Sequence, residues 1–132
     1  MRAALAVTEV TLDLEHNLAE MLGAVDRAAD AGADLVLLPE AALTGLINDD
    51  HPAHDLPLGQ SIPGPITERL ARHSQRRGIW TATGLLEREG EALYDAAILI
   101  SPAGQIALHY RRMQPQWHGR SADPRIYRQG GG

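Results

Sequence analysis

Gly32-Ala33-Asp34-Leu35-Val36-Leu37-Leu38-Pro39-Glu40 is the stretch that decides the fold. Leu35 to Leu38 is an unbroken apolar run, the pattern of a short strand covered on both faces of an α/β sheet. Pro39 has no N–H to give a sheet ladder, so pairing stops there. Glu40 is thereby delivered to the carboxyl end of the strand, where layered α/β proteins commonly put their chemistry. In apolar surroundings such a carboxylate has a raised pKa and serves as a general base. A rim carboxylate held by backbone N–H groups is the other reading of the same residue.

Upstream, Leu18, Met21, Leu22, Val25 and Ala29 recur at helical spacing, which predicts an amphipathic helix from Glu15 to Ala31 with Asp13 as its N-cap. Gly32 falls just past the last apolar position and suits the left-handed site that ends a helix. Before the helix, Arg2 to Val10 is apolar enough to be a central strand. Strand, helix and strand then make a parallel crossover unit. Downstream, Ala41 to Pro65 is a long loop punctuated by Gly and Pro, placed to wall the region over Glu40. A second helix over Ile66 to Arg77 ends at Gly78. Three strands follow, Ile79 to Leu86, Ala92 to Ile100 and Gln105 to Tyr110, joined by turns at Glu89-Gly90-Glu91 and Pro102-Ala103-Gly104 and expected to pair antiparallel. The tail from Arg111 to Gly132 is polar and ends in three glycines.

Composition narrows the function classes. The 132 residues suit one domain, and a net charge of −5 lacks the basic surface that a nucleic acid or an anionic membrane would need. No apolar run approaches the ~20 residues of a membrane span, and the N-terminus does not read as a signal peptide. A cytoplasmic location follows as the default. There is no cysteine, and all 12 basic residues are arginine. A mechanism that needs a thiolate or a side-chain amine cannot run on these residues alone.

Lesser candidates remain. His51 and His54, among Asp49, Asp50 and Asp55, have the types for a metal site, but a solvated acidic loop is the preferred reading and no metal or cofactor is expected. His109 and His118 flank the arginine pair, and Trp117 suits a pocket wall. Glu87 and Arg88 read as an ion pair after the third strand, and Tyr94 as a packing residue. Ser61, Ser74, Ser101 and Ser121 read as turn, helix or loop residues rather than nucleophiles.

Three ordered segments carry a resemblance. The first is the helix followed by Gly-Ala-Asp-Leu-Val-Leu-Leu-Pro-Glu over 32–40 and the long loop. The second is Gly84-Leu85-Leu86-Glu87-Arg88 with Leu93-Tyr94-Asp95-Ala96-Ala97. The third is Pro102-Ala103-Gly104-Gln105-Ile106 running into His109-Tyr110-Arg111-Arg112. Together they resemble the N-terminal portion of the nitrilase superfamily, the carbon–nitrogen hydrolases. That resemblance implies an α/β fold, the N-terminal half of a four-layer αββα sandwich. It also implies hydrolysis of a small amide, nitrile or N-carbamoyl compound through a thioester. The family's roles are a glutamate base, an oxyanion-stabilising lysine, a cysteine nucleophile and usually a second glutamate. Glu40 matches the base. Arg112 stands at the lysine position, with a planar fork in place of an ammonium point charge. Asp123, in Asp123-Pro124-Arg125-Ile126-Tyr127, stands near the second carboxylate position.

The resemblance further implies that residues 1–132 are a partial domain without the nucleophile strand. Such a chain is expected to be inactive alone, to expose the sheet face meant for the other half, and to form a homo-oligomer once completed. A degenerate family member acting as a binding or assembly subunit is the alternative, and the arginine at position 112 favours it.

Overall fold

The computed structural model describes residues 1–46, 50–117 and 122–132, so the expectations for Asp49, His118 and Ser121 lie outside the described residues. Five strands form one sheet in chain order: β1 (Ala3–Leu5), β2 (Leu35–Leu37), β3 (Trp80–Glu89), β4 (Ala92–Ile100) and β5 (Ile106–Arg111). β1, β2 and β3 run parallel, whereas β3, β4 and β5 form an antiparallel meander. Helix α1 (Leu14–Asp30) separates β1 from β2, and the short α2 (Pro52–Asp55) and longer α3 (Pro65–Arg77) separate β2 from β3.

The two long helices, α1 and α3, are bounded by residues the sequence singles out. The Asp13 carboxylate accepts from the N–H groups of Glu15 and His16 at 2.9 and 3.2 Å, satisfying two donors that a helix start leaves open. Gly32 and Gly78 take φ of 75° and 64° just past α1 and α3, a conformation that costs glycine nothing. Leu18, Met21 and Val25 of α1 and Ile66 and Leu70 of α3 point inward onto Val36, Leu85, Ile98 and Ile100 of the sheet. This is the core: one helical layer on one sheet face.

The opposite face is different. Register places Leu5, Leu37, Ala82, Leu99 and Leu108 side by side in one row across all five strands. Leu5, Leu37 and Leu108 of that row are exposed. A sheet whose two faces are both apolar, one packed and one open, is half of a layered sandwich.

Three expectations need correction. The first strand is Ala3–Leu5 rather than Arg2 to Val10, and it lies at the edge of the sheet, not its centre. Ala6 N–H makes one further bond to the Leu37 carbonyl at 2.9 Å, and by Thr11 the backbone N–H is turned to the Asn17 side chain at 2.8 Å. The long loop contains α2 and a 3₁₀ turn over Leu56–Leu58. Glu87 and Arg88 do not pair. As neighbours on a strand they point to opposite faces; Glu87 binds Arg111 and His109, and Arg88 binds Glu91 and the Leu56 and Gly90 carbonyls.

Candidate active site

The chain leaves β2 at Leu37, makes one further ladder bond from Leu38 N–H to the Ala82 carbonyl at 2.9 Å, and curls at Pro39. Ala42 N–H to the Pro39 carbonyl and Gly45 N–H to the Ala41 carbonyl close that curl. It crosses β3 at Gly84, where the backbone of Glu40 lies so near that a Cβ on Gly84 would sit 2.2 Å from the Glu40 carbonyl oxygen. The curl is also tied from the other side. Asn17, wholly buried in α1, donates from Nδ2 to the carbonyls of Leu43 and Thr11, both at 2.7 Å. Its Oδ1 accepts from the N–H and hydroxyl of Thr11.

Arg112 comes from the far end of the sheet, one residue past β5. Its backbone is fixed on both sides: its N–H donates to the Asp95 carbonyl and its carbonyl accepts from Gly130 N–H, both at 2.8 Å. From one nitrogen the guanidinium reaches two carboxylates, Asp95 Oδ2 at 2.9 Å and Glu40 Oε1 at 3.2 Å. Asp95 is the better buried partner, its side chain 22% exposed against 58% for Glu40. The hydrogen bond and charge of Asp95, and more weakly the charge of Glu40, raise the pKa of Arg112. The apolar enclosure expected around Glu40 is therefore not complete among the described residues.

Glu40, Asp95 and Arg112 line one cavity of about 280 Å³, with Leu58, Leu86 and Trp117 among its apolar walls. The same three residues border a groove running along the open sheet face past Leu37, Ala82, Ala97 and Tyr110. A carboxylate able to take a proton thus lies beside a fixed cation able to face a developing negative charge.

Asp123 is elsewhere. Its carboxylate binds the Arg125 side chain at 2.7 Å and the Arg125 N–H at 2.9 Å, and these bonds hold its pKa down to about 2. It does not line the cavity that holds Glu40, and so acidic a group is a poor proton acceptor at neutral pH. Nor is the loop around His51 and His54 simply a solvated acidic one. Asp55 is wholly buried and accepts from the Tyr127 hydroxyl at 2.6 Å, from His51 N–H at 3.2 Å, and faces His54 Nδ1 at 2.8 Å. Ser74 and Ser101 have structural partners, Thr81 and Gln105. Tyr94 packs, with Arg111 stacked 3.9 Å over its ring.

The tail serves the site through its backbone. Leu93 N–H donates to Ile126 and Arg128 N–H to Leu93, so residues 126–128 continue beside β4 beyond the end of β5. Tyr127 is buried there, with the Trp117 ring edge-on at 5.3 Å.

Asp95 and Asn17 were not expected from the sequence as parts of this site. The signal was present in each case. Asp95 is a lone acid in the middle of an apolar strand, and Asn17 a lone amide on the inward face of a helix. Groups of that kind are kept in a core only when partnered.

A family model described as carbon–nitrogen hydrolase matches residues 2–131. A nitrilase of Talaromyces marneffei is 29% identical over 117 residues, spanning 80% of this chain and 36% of that protein. A formamidase of Bacillus cereus is 26% identical over 113 residues, spanning 83% of this chain and 33% of that protein. Among solved structures, the NitN amidase of Nesterenkonia sp. AN1 superposes with a TM-score of 0.77 at 27% identity, covering all of this chain and 50% of the amidase. A mutant of that amidase shows the acetamide moiety of fluoroacetamide added at its active site cysteine. The chain therefore spans between about a third and a half of the length of the relatives it matches.

Proposed function

The chain belongs to the carbon–nitrogen hydrolase family, and from that premise we propose that it forms the base-and-oxyanion side of an enzyme cleaving non-peptide C–N bonds in small amides, nitriles or N-carbamoyl compounds. One observation carries the reading: Glu40 and Arg112, 72 residues apart in sequence, meet at 3.2 Å in one cavity. Glu40 takes the proton of the nucleophile and returns it to the departing amine, and Arg112 faces the charge that develops on the attacked group. The thioester chemistry implied by the family needs a thiolate to attack the carbonyl or nitrile carbon. None of the 132 residues is cysteine, so that thiolate has to come from other residues, and the chain by itself is inactive. Asp123 is assigned no step, because its carboxylate is committed to Arg125.

A second reading is supported by the two carboxylates already on Arg112. An arginine so engaged, at the place of the family's lysine, suits a subunit that binds or assembles without turnover.

Ammonia release from acetamide, propionamide, propionitrile and an N-carbamoyl amino acid separates the two. The chain alone is expected to give none above background. A folded fusion of this chain to the C-terminal half of the Nesterenkonia amidase, which brings a cysteine, is expected to release ammonia, and Glu40→Gln to abolish it. A folded fusion that binds acetamide without turnover would instead establish the binding-subunit reading. Turnover by the chain alone would overturn the need for an outside thiolate.

A further inference from the structure

We propose that two glycines, Gly84 and Gly130, are positioning residues that set the spacing between Glu40 and Arg112. Each stands where one of the two charged residues is carried by backbone rather than by side-chain packing. At Gly84 an added Cβ would lie 2.2 Å from the Glu40 carbonyl oxygen, 2.8 Å from its Cα and 2.9 Å from its carbonyl carbon. These are backbone atoms, held in place by the curl that Pro39 starts and Asn17 ties down. A side chain at position 84 cannot be accommodated by a rotamer change and has to lift Glu40 off β3. At Gly130 an added Cβ would lie 2.2 Å from the Arg111 carbonyl oxygen, and Gly130 N–H is the donor to the Arg112 carbonyl. A side chain there pushes the tail away and frees one of the two backbone bonds that fix Arg112.

Neither glycine is required by its dihedral angles. Only Gly32, Gly45, Gly78, Gly90, Gly104 and Gly132 among the described glycines have positive φ. What positions 84 and 130 require is the missing volume. The 3.2 Å gap between Glu40 and Arg112 is thus set by two backbone crossings, one under each partner.

The proposal rests on reading Glu40 and Arg112 as a working pair, but its test reads their contact and not turnover. Loss of ammonia release would count against that reading alone, while the contact measurement decides this one. The measurement is the change that Glu40→Gln produces in the NMR signal of the Arg112 guanidinium. It is made in the unsubstituted chain, in Gly84→Ala, in Gly130→Ala and in Gly64→Ala. Gly64 is the control: a Cβ there would also strike backbone, 2.6 Å from the Ser61 carbonyl, but at the start of α3 and not at this cavity. The response is expected to persist in Gly64→Ala and to fall at least fivefold in Gly84→Ala and Gly130→Ala. A full response in a folded Gly84→Ala chain would overturn the proposal. Should Gly84→Ala not fold, Gly130→Ala decides, since its contact is with the tail and can open while the sheet stays intact. A full response there would overturn the proposal equally.

Discussion

Arg112 offers one nitrogen to two carboxylates, and the balance of charge has a consequence for what can bind. Two carboxylates against one guanidinium leave the described cavity lining with an excess of negative charge. An anionic ligand entering the cavity meets that excess of like charge, whereas a neutral amide does not. Propionamide is expected to bind at least roughly tenfold more tightly than propionate, about 1.4 kcal/mol, with Asp95→Asn narrowing the gap. NMR titration of the chain with both ligands measures this; tighter binding of propionate would make Arg112 an anion receptor. Glu87 poses a different residue-scale question. It is almost wholly buried under Arg111 and His109. Burial pushes its carboxyl pKa up, but the hydrogen bonds and charges of Arg111 and His109 outweigh that and hold it below the usual range. A group depressed in the folded state stabilises above its unfolded pKa and loses that contribution as pH falls through the folded value. Denaturation monitored against pH should therefore show stability falling from about pH 4.3 downward, and Glu87→Gln should flatten that limb. At neutral pH the same substitution is expected to cost about 3 kcal/mol, the low end for a buried pair, because Arg111 keeps Glu89.

At the scale of elements, the curl after β2 depends on α1 through Asn17. Asn17→Ala leaves the Leu43 carbonyl and the Thr11 N–H without their buried partner. Chemical denaturation should register a loss of about 1–3 kcal/mol for each group left unsatisfied, with Asn17→Asp partly tolerated at the Thr11 side only. The elements themselves were largely legible. α1, α3 and β4 follow from periodicity and from Asp13, Gly32 and Gly78, because caps and apolar spacing are local properties. β1 was overread because Val7 and Val10 are apolar in sequence yet lie beyond the strand and are exposed. The convergence of Glu40 with Arg112 could be expected only through family resemblance. Asp95, Gly84 and Gly130 join the site through long-range register, which no local pattern encodes. Asp123 is the opposite case, a local one: Arg125, two residues away, binds its carboxylate.

Among the described residues, long helices cover one side of the sheet only. The row Leu5, Leu37, Ala82, Leu99 and Leu108 has the composition of an interior and the exposure of a surface. Contiguous apolar surface of this kind drives association. Sedimentation of the isolated chain should show concentration-dependent self-association, reduced by Leu37→Glu combined with Leu108→Glu. Fusion to the amidase half should suppress it without those substitutions; a monomer at high concentration would count against an open interior face.

The mixed sheet also sets an order of events in time. β3, β4 and β5 are joined to one another by two short turns, so their mutual pairing can close quickly. β2 reaches β3 only after α2 and α3 have been spanned, which loop closure makes slower. Arg112 follows the fast part of the chain and Glu40 the slow part. In stopped-flow refolding, Leu99→Ala should slow folding, whereas Asn17→Ala should mainly speed unfolding. A molecule halted between those steps carries its arginine and its glutamate, yet has no place where they meet.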